Sequence, residues 1–399
     1  MARILTTKSA DDATAPIRII TADDAQDVTE ASTVNRELRQ IAAAWYGEAV
    51  VIHHHPPTGS FVFIAFHDTT LGPAAGGTRI KAYPSPSEGL RDALRLSEAM
   101  TCKWAIADAN WGGGKAVLNL SRSLTSAERL DLLHEYAQLL NALDGRFLTA
   151  GDLGTTTEDL IYLSRFTGHV TTGEHSHGES VDSGTYTALG LRAAIRASLA
   201  HAFGDAGIRG RSVLVQGLGQ VGGRLARLLA RDGARVLIND FDLGLLNQVQ
   251  GELGCETVVT DAVYDTPCDV YAPCGTGGTI NTETIARLSC RIICGGANNQ
   301  LASPEMAGRL HRAGILYAPD YVANAGGAIG LTMFGQGVPE GEIYRKIEAI
   351  ETRLGHVFQR SFELSCCPVQ VADEVVRATL AQARATRKLD LGRWEGFQG

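Results

Sequence analysis

The chain has 399 residues, enough for two cores, and its 44% hydrophobic and 20% charged content is that of a globular protein. A net charge of −8 argues against nucleic acid or an anionic membrane as the main partner, and no apolar run approaches the roughly 20 residues of a membrane span. Eight scattered cysteines, two of them (Cys268 and Cys294) inside predicted strands, read as free thiols; Cys290 and Cys294 lack a second pair and nearby histidines, so no metal site is expected.

In chain order, residues 1–35 mix Asp, Thr and Ala without apolar periodicity and read as a loose extension, taken as 1–40 in the division into domains. No apolar signal-peptide core lies there, which makes the cytoplasm the expected location. Glu48–His54 and Ser60–His67 are β-rich runs around Pro56-Pro57-Thr58-Gly59, a hairpin pattern. The cluster His53-His54-His55 sits at a strand end, where consecutive residues point to opposite faces, and that geometry disfavours a metal site. Residues 71–79, Leu-Gly-Pro-Ala-Ala-Gly-Gly-Thr-Arg, read as a glycine-rich turn. Leu90, Ala93, Leu94 and Ser97 then keep helical spacing over 87–100, with Lys103 just beyond.

Met100 to Lys115 holds two lysines, the second preceded by Gly112-Gly113-Gly114. Three glycines in a row let a ligand reach the backbone. Two ammonium groups a few ångströms apart, like desolvation, push one pKa down, so one lysine can serve as a base. The other reading of these residues is a surface turn with solvated lysines. Thr125 and Glu128 form a capping box before a helix running to about Leu140. Residues 147–157 are a short apolar run ending in Asp152, followed by a second capping signal in Thr155 and Glu158. A carboxylate at a strand-to-helix mouth is where α/β proteins keep their chemistry, though it is also an ordinary helix-start acid.

Ser212–Gln216 is an apolar strand, followed by Gly217-Leu218-Gly219-Gln220-Val221-Gly222 and a helix to about Arg231. Ala234–Asn239 is the next strand, and Asp240 ends it 23 positions after Gly217. Strand, G-x-G-x-x-G, helix, strand and acid together make a dinucleotide fingerprint, with the glycines and helix-start amides on the pyrophosphate and the acid on a ribose. No Arg or Lys follows in Asp240-Phe241-Asp242-Leu243, which favours NAD over NADP. Three short strands (269–272, 291–294 and 315–318) each lead into a small polar loop, at 274–278, 297–300 and 324–327. Such loops suit a ligand across the carboxyl edge of a parallel sheet, while asparagines there also serve as plain turn residues. Ile343, Ile347, Ile350, Leu354 and Phe358 mark a long amphipathic core helix, and 372–389 a second one.

Seven blocks in order (71–79, Met-Thr-Cys-Lys at 100–103, Gly-Gly-Gly-Lys at 112–115, Asp-Leu-Gly-Thr-Thr at 152–156, the 217–222 fingerprint, Ala-Asn-Asn-Gln-Leu at 297–301 and Ala-Pro-Asp-Tyr-Val-Ala-Asn-Ala-Gly-Gly at 318–327) carry a resemblance. The chain resembles the glutamate/leucine/phenylalanine/valine dehydrogenases, in their leucine, valine and phenylalanine branch. The resemblance implies NAD-dependent, reversible deamination of an L-amino acid to the 2-oxo acid and ammonia, by a homo-oligomer. It implies an α/β fold of two domains. The first is a substrate-binding and oligomerisation domain over 41–175, onto which C-terminal helices from about 350–399 pack back. The second is a Rossmann, doubly wound NAD-binding domain over 176–349.

The same resemblance implies roles. Lys115 and Asp152 would be catalytic, activating water and relaying protons at the amino group. Lys103 would hold the substrate carboxylate with Asn298 or Asn299 and the Gly76-Gly77 backbone, beside Met100. Cys274, Ala297, Asn298, Asn324 and Thr187 would join Gly217 to Gly222 and Asp240 around the cofactor. Leucine-specific relatives carry a bulky aliphatic residue where this chain has Ala75; Ala150 and Ala328 are also small and Leu331 is the larger wall, so an aromatic substrate such as phenylalanine is expected. A branched-chain substrate, a biosynthetic enzyme acting on an aromatic imino or oxo acid, and a nucleotide-binding protein without turnover are the alternatives. The chain departs from the family's pattern at Gly151, commonly Glu, and at Val181-Asp182-Ser183-Gly184-Thr185, preceded by His175 and His177.

Overall fold

In the computed structural model, described over residues 3–6, 18–20, 37–38, 40–41, 43–171 and 183–386, the chain divides into two compact units. One comprises Met1–Thr172 with Ala378–Gly399, the other Gly173–Arg377.

The first unit is a seven-stranded sheet of β1 (Arg3–Thr6), β2 (Arg18–Ile20), β3 (Ala49–His55), β4 (Ser60–Asp68), β5 (Ala74–Ala82), β6 (Gly112–Leu120) and β7 (Phe147–Gly151), in the order β2-β1-β3-β4-β6-β5-β7. Helix α1 (Pro86–Ile106) covers one face; α2 (Ser126–Ala142) and α3 (Thr157–Ser164) cover the other. Alternate residues of β3, β4 and β6 divide between the two cores. Val50, Ile52, Phe63, Ala65 and Val117 pack with Leu90 and Leu94 of α1, and Val51, Val62, Ile64 and Leu118 pack with Leu132, Leu133 and Tyr136 of α2. A sheet covered on both faces explains why 61–66 is unbroken apolar sequence.

Several expectations need correction. Residues 1–35 are not wholly a loose extension, because β1 pairs with β2 and β3 at the sheet edge. Gly76 and Gly77 lie in β5 and Gly112 to Gly114 in β6, so a turn over 71–79 is corrected to a turn that ends at Pro73, and the surface-turn reading of 112–114 is set aside. A Cβ on Gly113 would sit 1.9 Å from Thr101 Oγ1 of α1, and one on Gly76 would sit 1.9 Å from the Gly114 carbonyl oxygen, so these glycines serve close packing. The cap of α3 is Thr156 with Asp159, one residue beyond the predicted pair, because the Thr155 hydroxyl donates to the Thr78 carbonyl. The capping box of α2 forms at Thr125 and Glu128 as predicted.

The second unit opens with α4 (Ser183–Phe203) and holds β8 (Ser212–Gln216), α5 (Gly222–Arg231), β9 (Arg235–Asn239), α6 (Leu243–Leu253), β10 (Glu256–Thr257), β11 (Cys268–Pro273), α7 (Thr282–Arg287), β12 (Cys290–Ile293), α8 (Glu305–Arg312) and β13 (Leu316–Tyr317). All six strands are parallel in the order β10-β9-β8-β11-β12-β13, the doubly wound arrangement. Then come α9 (Asp320–Ala323), α10 (Gly326–Gly335), α11 (Glu340–Leu364) and α12 (Pro368–Thr386).

The expectation that everything after about 350 packs back on the first unit is also corrected. The Ile343, Ile347, Ile350 and Leu354 stripe of α11 is buried, and α11 packs on α4 and α10 within the second unit. Only the end of α12 belongs with the first unit, where Arg384 donates to Thr70 Oγ1 at 3.2 Å and to Asp68. His175, His177, Val181 and Asp182 lie outside the described residues.

Candidate active site

In the first unit, β5 lies between β6 and β7, with Ala75 level with Gly113 on one side and Gly77 level with Ala150 on the other. Gly77 has no side chain to occupy the space above the strand. A Cβ there would come within 2.9 Å of the Asp152 Cβ and 2.6 Å of the Gly151 carbonyl oxygen. Lys115 of β6 and Asp152, just past β7, therefore meet across β5, with Lys115 Nζ 2.9 Å from Asp152 Oδ2. The Lys115 side chain is 7% exposed and that of Asp152 18%, so water screens the pair weakly.

A third charge completes the cluster. Arg79 Nε donates to the same Asp152 Oδ2 at 2.9 Å, and Arg79 Nη1 donates to Asp92 Oδ2 at 2.8 Å. Asp92 also accepts from the Tyr83 hydroxyl and from Arg95 Nη2, each at 2.6 Å. Burial presses the Lys115 pKa down, Asp152 opposes this, and Arg79 adds to the lowering. Burial by itself would raise the Asp152 carboxyl; Lys115 and Arg79 outweigh it and hold the group well below the usual carboxylate range. A buried lysine of lowered pKa fits the role of base, but the cation that assists burial is Arg79, where the sequence pointed to Lys103. Arg79 closed the 71–79 block and went unassigned; Asp92 and Tyr83 carried no local signal.

Met100 and Lys103 lie on the last turns of α1, and Lys103 is 9% exposed. Met100 Cγ lies 3.4 Å from where a Gly76 Cβ would be, and Trp104 Nε1 donates to the Ala75 carbonyl at 2.9 Å, so the helix end is fixed over β5. Ala75 is buried and Ala150 half-buried.

The second unit gathers the other predicted residues at the carboxyl ends of its strands. Gly217 has φ +88°, and a Cβ on Gly222 would lie 1.8 Å from the Gly217 carbonyl oxygen, so both positions require glycine. A Cβ on Gly219 would meet nothing within 4 Å, so that side of the loop is open. Helix α5 starts at this loop with no side-chain cap, so a phosphate there would meet the positive end of the helix. Asp240 accepts from the Leu218 amide at 2.5 Å and from the Asp242 amide at 2.8 Å, which fixes the acid against the loop. Cys274 packs under Gly222, and burial pushes its thiol up to about 12. That makes it a wall of the loop rather than a reactive group.

Asn324 Nδ2 donates to Asn298 Oδ1 at 2.9 Å, and among the described residues the buried Asn324 Oδ1 has no partner. An orphaned buried acceptor at the strand ends fits a carboxamide donor such as that of nicotinamide. Asn298 is exposed, and Asn299, at φ +51°, accepts the Gly278 amide through its carbonyl. Ala297 is buried beside them, and the Thr187 hydroxyl donates to the Ser183 carbonyl under Gly327. Gln300, which sequence reasoning passed over, is fully buried and braces this loop through the Gly295 and Ala297 carbonyls at 2.7 and 3.0 Å. Ala328 and Leu331 lie half-buried on α10.

His53 and His55 share one face of β3, and their Nε2 atoms lie 3.2 Å from carboxylate oxygens of Glu135 and, for His55, also of Asp131. No group of three metal-ligating side chains forms among the described residues, and the eight cysteines are free thiols. No helix of the described residues is long and apolar enough to cross a membrane.

Sequence profiles described as "Glu/Leu/Phe/Val dehydrogenase, dimerisation domain" and "Glutamate/Leucine/Phenylalanine/Valine dehydrogenase" match residues 58–169 and 241–334. The chain is 36% identical over 340 residues to leucine dehydrogenase of Thermoactinomyces intermedius, covering 85% of this chain and 92% of that protein. It is 36% identical over 338 residues to phenylalanine dehydrogenase of Lysinibacillus sphaericus, covering 84% and 88%. The crystal structure of L-tryptophan dehydrogenase from Nostoc punctiforme matches with a TM-score of 0.73 at 32% identity, over 88% of this chain and 100% of that one. By these matches the chain belongs to the glutamate/leucine/phenylalanine/valine dehydrogenase family.

Proposed function

We propose that the protein is an NAD-dependent L-amino-acid dehydrogenase that prefers a large, aromatic side chain such as that of phenylalanine. The observation that carries the reading is the buried pair of Lys115 and Asp152 at 2.9 Å, one lysine of lowered pKa against one carboxylate held ionised. The Lys103 ammonium pairs with the substrate carboxylate, with the Gly76-Gly77 backbone as a further donor. Asp152 holds the substrate amino group. The dinucleotide, when bound, supplies the hydride acceptor; Gly217 to Gly222, Asp240, Asn324, Ala297 and Thr187 position it. Lys115 then takes a proton from the water that attacks the imino carbon, and that proton passes by way of the Asp152 carboxylate to the nitrogen, which departs as ammonia.

Asp240 and Asp242 oppose the extra phosphate of NADP, which supports NAD. Ala75 and Ala150 in the first unit, and Ala328 in the second, are small where the resemblance puts side-chain walls, and this supports a large substrate side chain, each methylene of which contributes about 0.8 kcal/mol when buried. Free thiols support the cytoplasm. The match of the first unit to a dimerisation domain supports a homo-oligomer built through that unit.

The test is NADH formation across a panel of L-amino acids. Phenylalanine, tryptophan or tyrosine is expected to give the highest kcat/KM, with Lys115→Ala lowering it by about 10³-fold or more. A higher kcat/KM for valine than for phenylalanine would overturn the aromatic assignment, and no NADH from any amino acid would overturn the activity.

A further inference from the structure

Both cations of the first unit's cluster meet one oxygen of Asp152. Lys115 Nζ and Arg79 Nε each lie 2.9 Å from Oδ2, and among the described residues no hydrogen bond is made to Oδ1. Arg79 is held in turn from its far end by Asp92, which the Tyr83 hydroxyl and Arg95 fix. The guanidinium is a rigid bridge between two carboxylates on different elements, Asp92 on α1 and Asp152 past β7, a role that its planar fork suits and an ammonium does not. We propose that Arg79 is a positioning residue for the amino-transfer chemistry: by tying Asp152 through Oδ2, it leaves Oδ1 as the acceptor for the nitrogen that leaves as ammonia or enters as ammonia. The inference rests on the reading of the protein as an amino-acid dehydrogenase.

The arrangement has an electrostatic side as well. The charged groups bearing on Lys115 are Asp152, Arg79 and Asp92; the two acids raise its pKa, while Arg79 lowers it in the same direction as burial. Removing the Arg79 charge therefore moves the Lys115 titration to higher pH. Removing the Asp92 charge moves it to lower pH. A residue that merely supports the fold predicts no such pair of opposite shifts.

The experiment compares the full-length wild type with Arg79→Lys, Arg79→Gln and Asp92→Asn. In reductive amination Arg79→Lys is expected to raise KM for ammonia about tenfold, with KM for the 2-oxo acid within about twofold. In deamination the rising limb of kcat/KM against pH is expected to move up by about one unit in Arg79→Gln, to stay in place in Arg79→Lys, and to move down in Asp92→Asn. The pH dependence of reductive methylation of Lys115, read by peptide mass spectrometry, follows the same titration without turnover.

Equal losses in both KM values together with unmoved limbs and unmoved methylation profiles would overturn the proposal. Methylation profiles that shift as expected between the variants and a wild type that oxidises no amino acid would retain the Arg79 linkage and overturn the dehydrogenase reading. A variant that fails to fold is replaced by Arg79→Lys, which keeps the charge, and the ammonia KM then decides.

Discussion

Asp152 balances two buried cations, and its loss has a cost apart from catalysis. In Asp152→Asn, Lys115 and Arg79 remain in a weakly hydrated pocket with no carboxylate between them, and breaking such a pair costs about 3 kcal/mol or more. The variant is expected to unfold at lower urea than the wild type and to lose amino-acid oxidation by about 10³-fold. Unchanged urea unfolding would show that water has access to the pair and that the charges are screened. At this scale the sequence singled out Lys115 and Asp152, which the structure brings together, because a lysine beside glycines and an acid at a strand-to-helix mouth leave local signatures. It gave no role to Arg79 and no hint of Asp92 or Tyr83. Arg79 meets Asp152 across 73 positions of chain, and only the strand register decides that meeting.

At the scale of elements, the central strands are held by what their glycines leave out. A methyl on Gly76 would meet the Gly114 carbonyl oxygen at 1.9 Å, and backbone cannot yield as a flexible side chain can. Gly76→Ala is therefore expected to cost about 3 kcal/mol or to prevent folding, whereas Thr156→Ala, which removes the cap of α3, should cost about 1 kcal/mol. Urea unfolding of the two variants checks the order, and a mild Gly76→Ala would mean that β5 and β6 can part. Glycine marks turns and close packing alike, so 71–79 reads locally as a turn and 112–114 admits one, and nothing in a single strand reports what lies across from it. Helix 126–142 and the hairpin of β3 and β4 were legible, since capping boxes and alternation are written within a few residues. The cap of α3 slipped by one position because the Thr155 hydroxyl is drawn to a carbonyl 77 positions back.

For the whole molecule, NAD should bind the folded second unit and stabilise it by mass action, by about 2.7 kcal/mol at a hundred times its Kd. The expected observation is a rise in the unfolding midpoint with NAD and a smaller one with NADP at equal concentration, because two carboxylates, Asp240 and Asp242, follow β9 with no cation among residues 240–243 to meet an extra phosphate. Equal shifts would remove the argument for NAD. Five strands of the second unit and the fingerprint at 217–222 were legible locally, the doubly wound arrangement was implied by the resemblance, and the edge strand β10 was not expected. The place of α11 was not, since an amphipathic stripe states that a helix is buried without naming the surface that buries it.

The sequence by itself determined the hairpin of β3 and β4, the helix over 126–142, the strand–loop–helix run around 217–222 and the place of Asp152 at a strand end, because periodicity, capping and glycine spacing act within one or two turns of chain. Tertiary structure alone decided that Gly77 leaves room for Lys115 to reach Asp152, that Arg79 shares the same oxygen, and that Asn324 turns an unmet acceptor inward. Each of those depends on register between segments far apart in sequence, and register is set by the packing of whole faces rather than by any local run of residues.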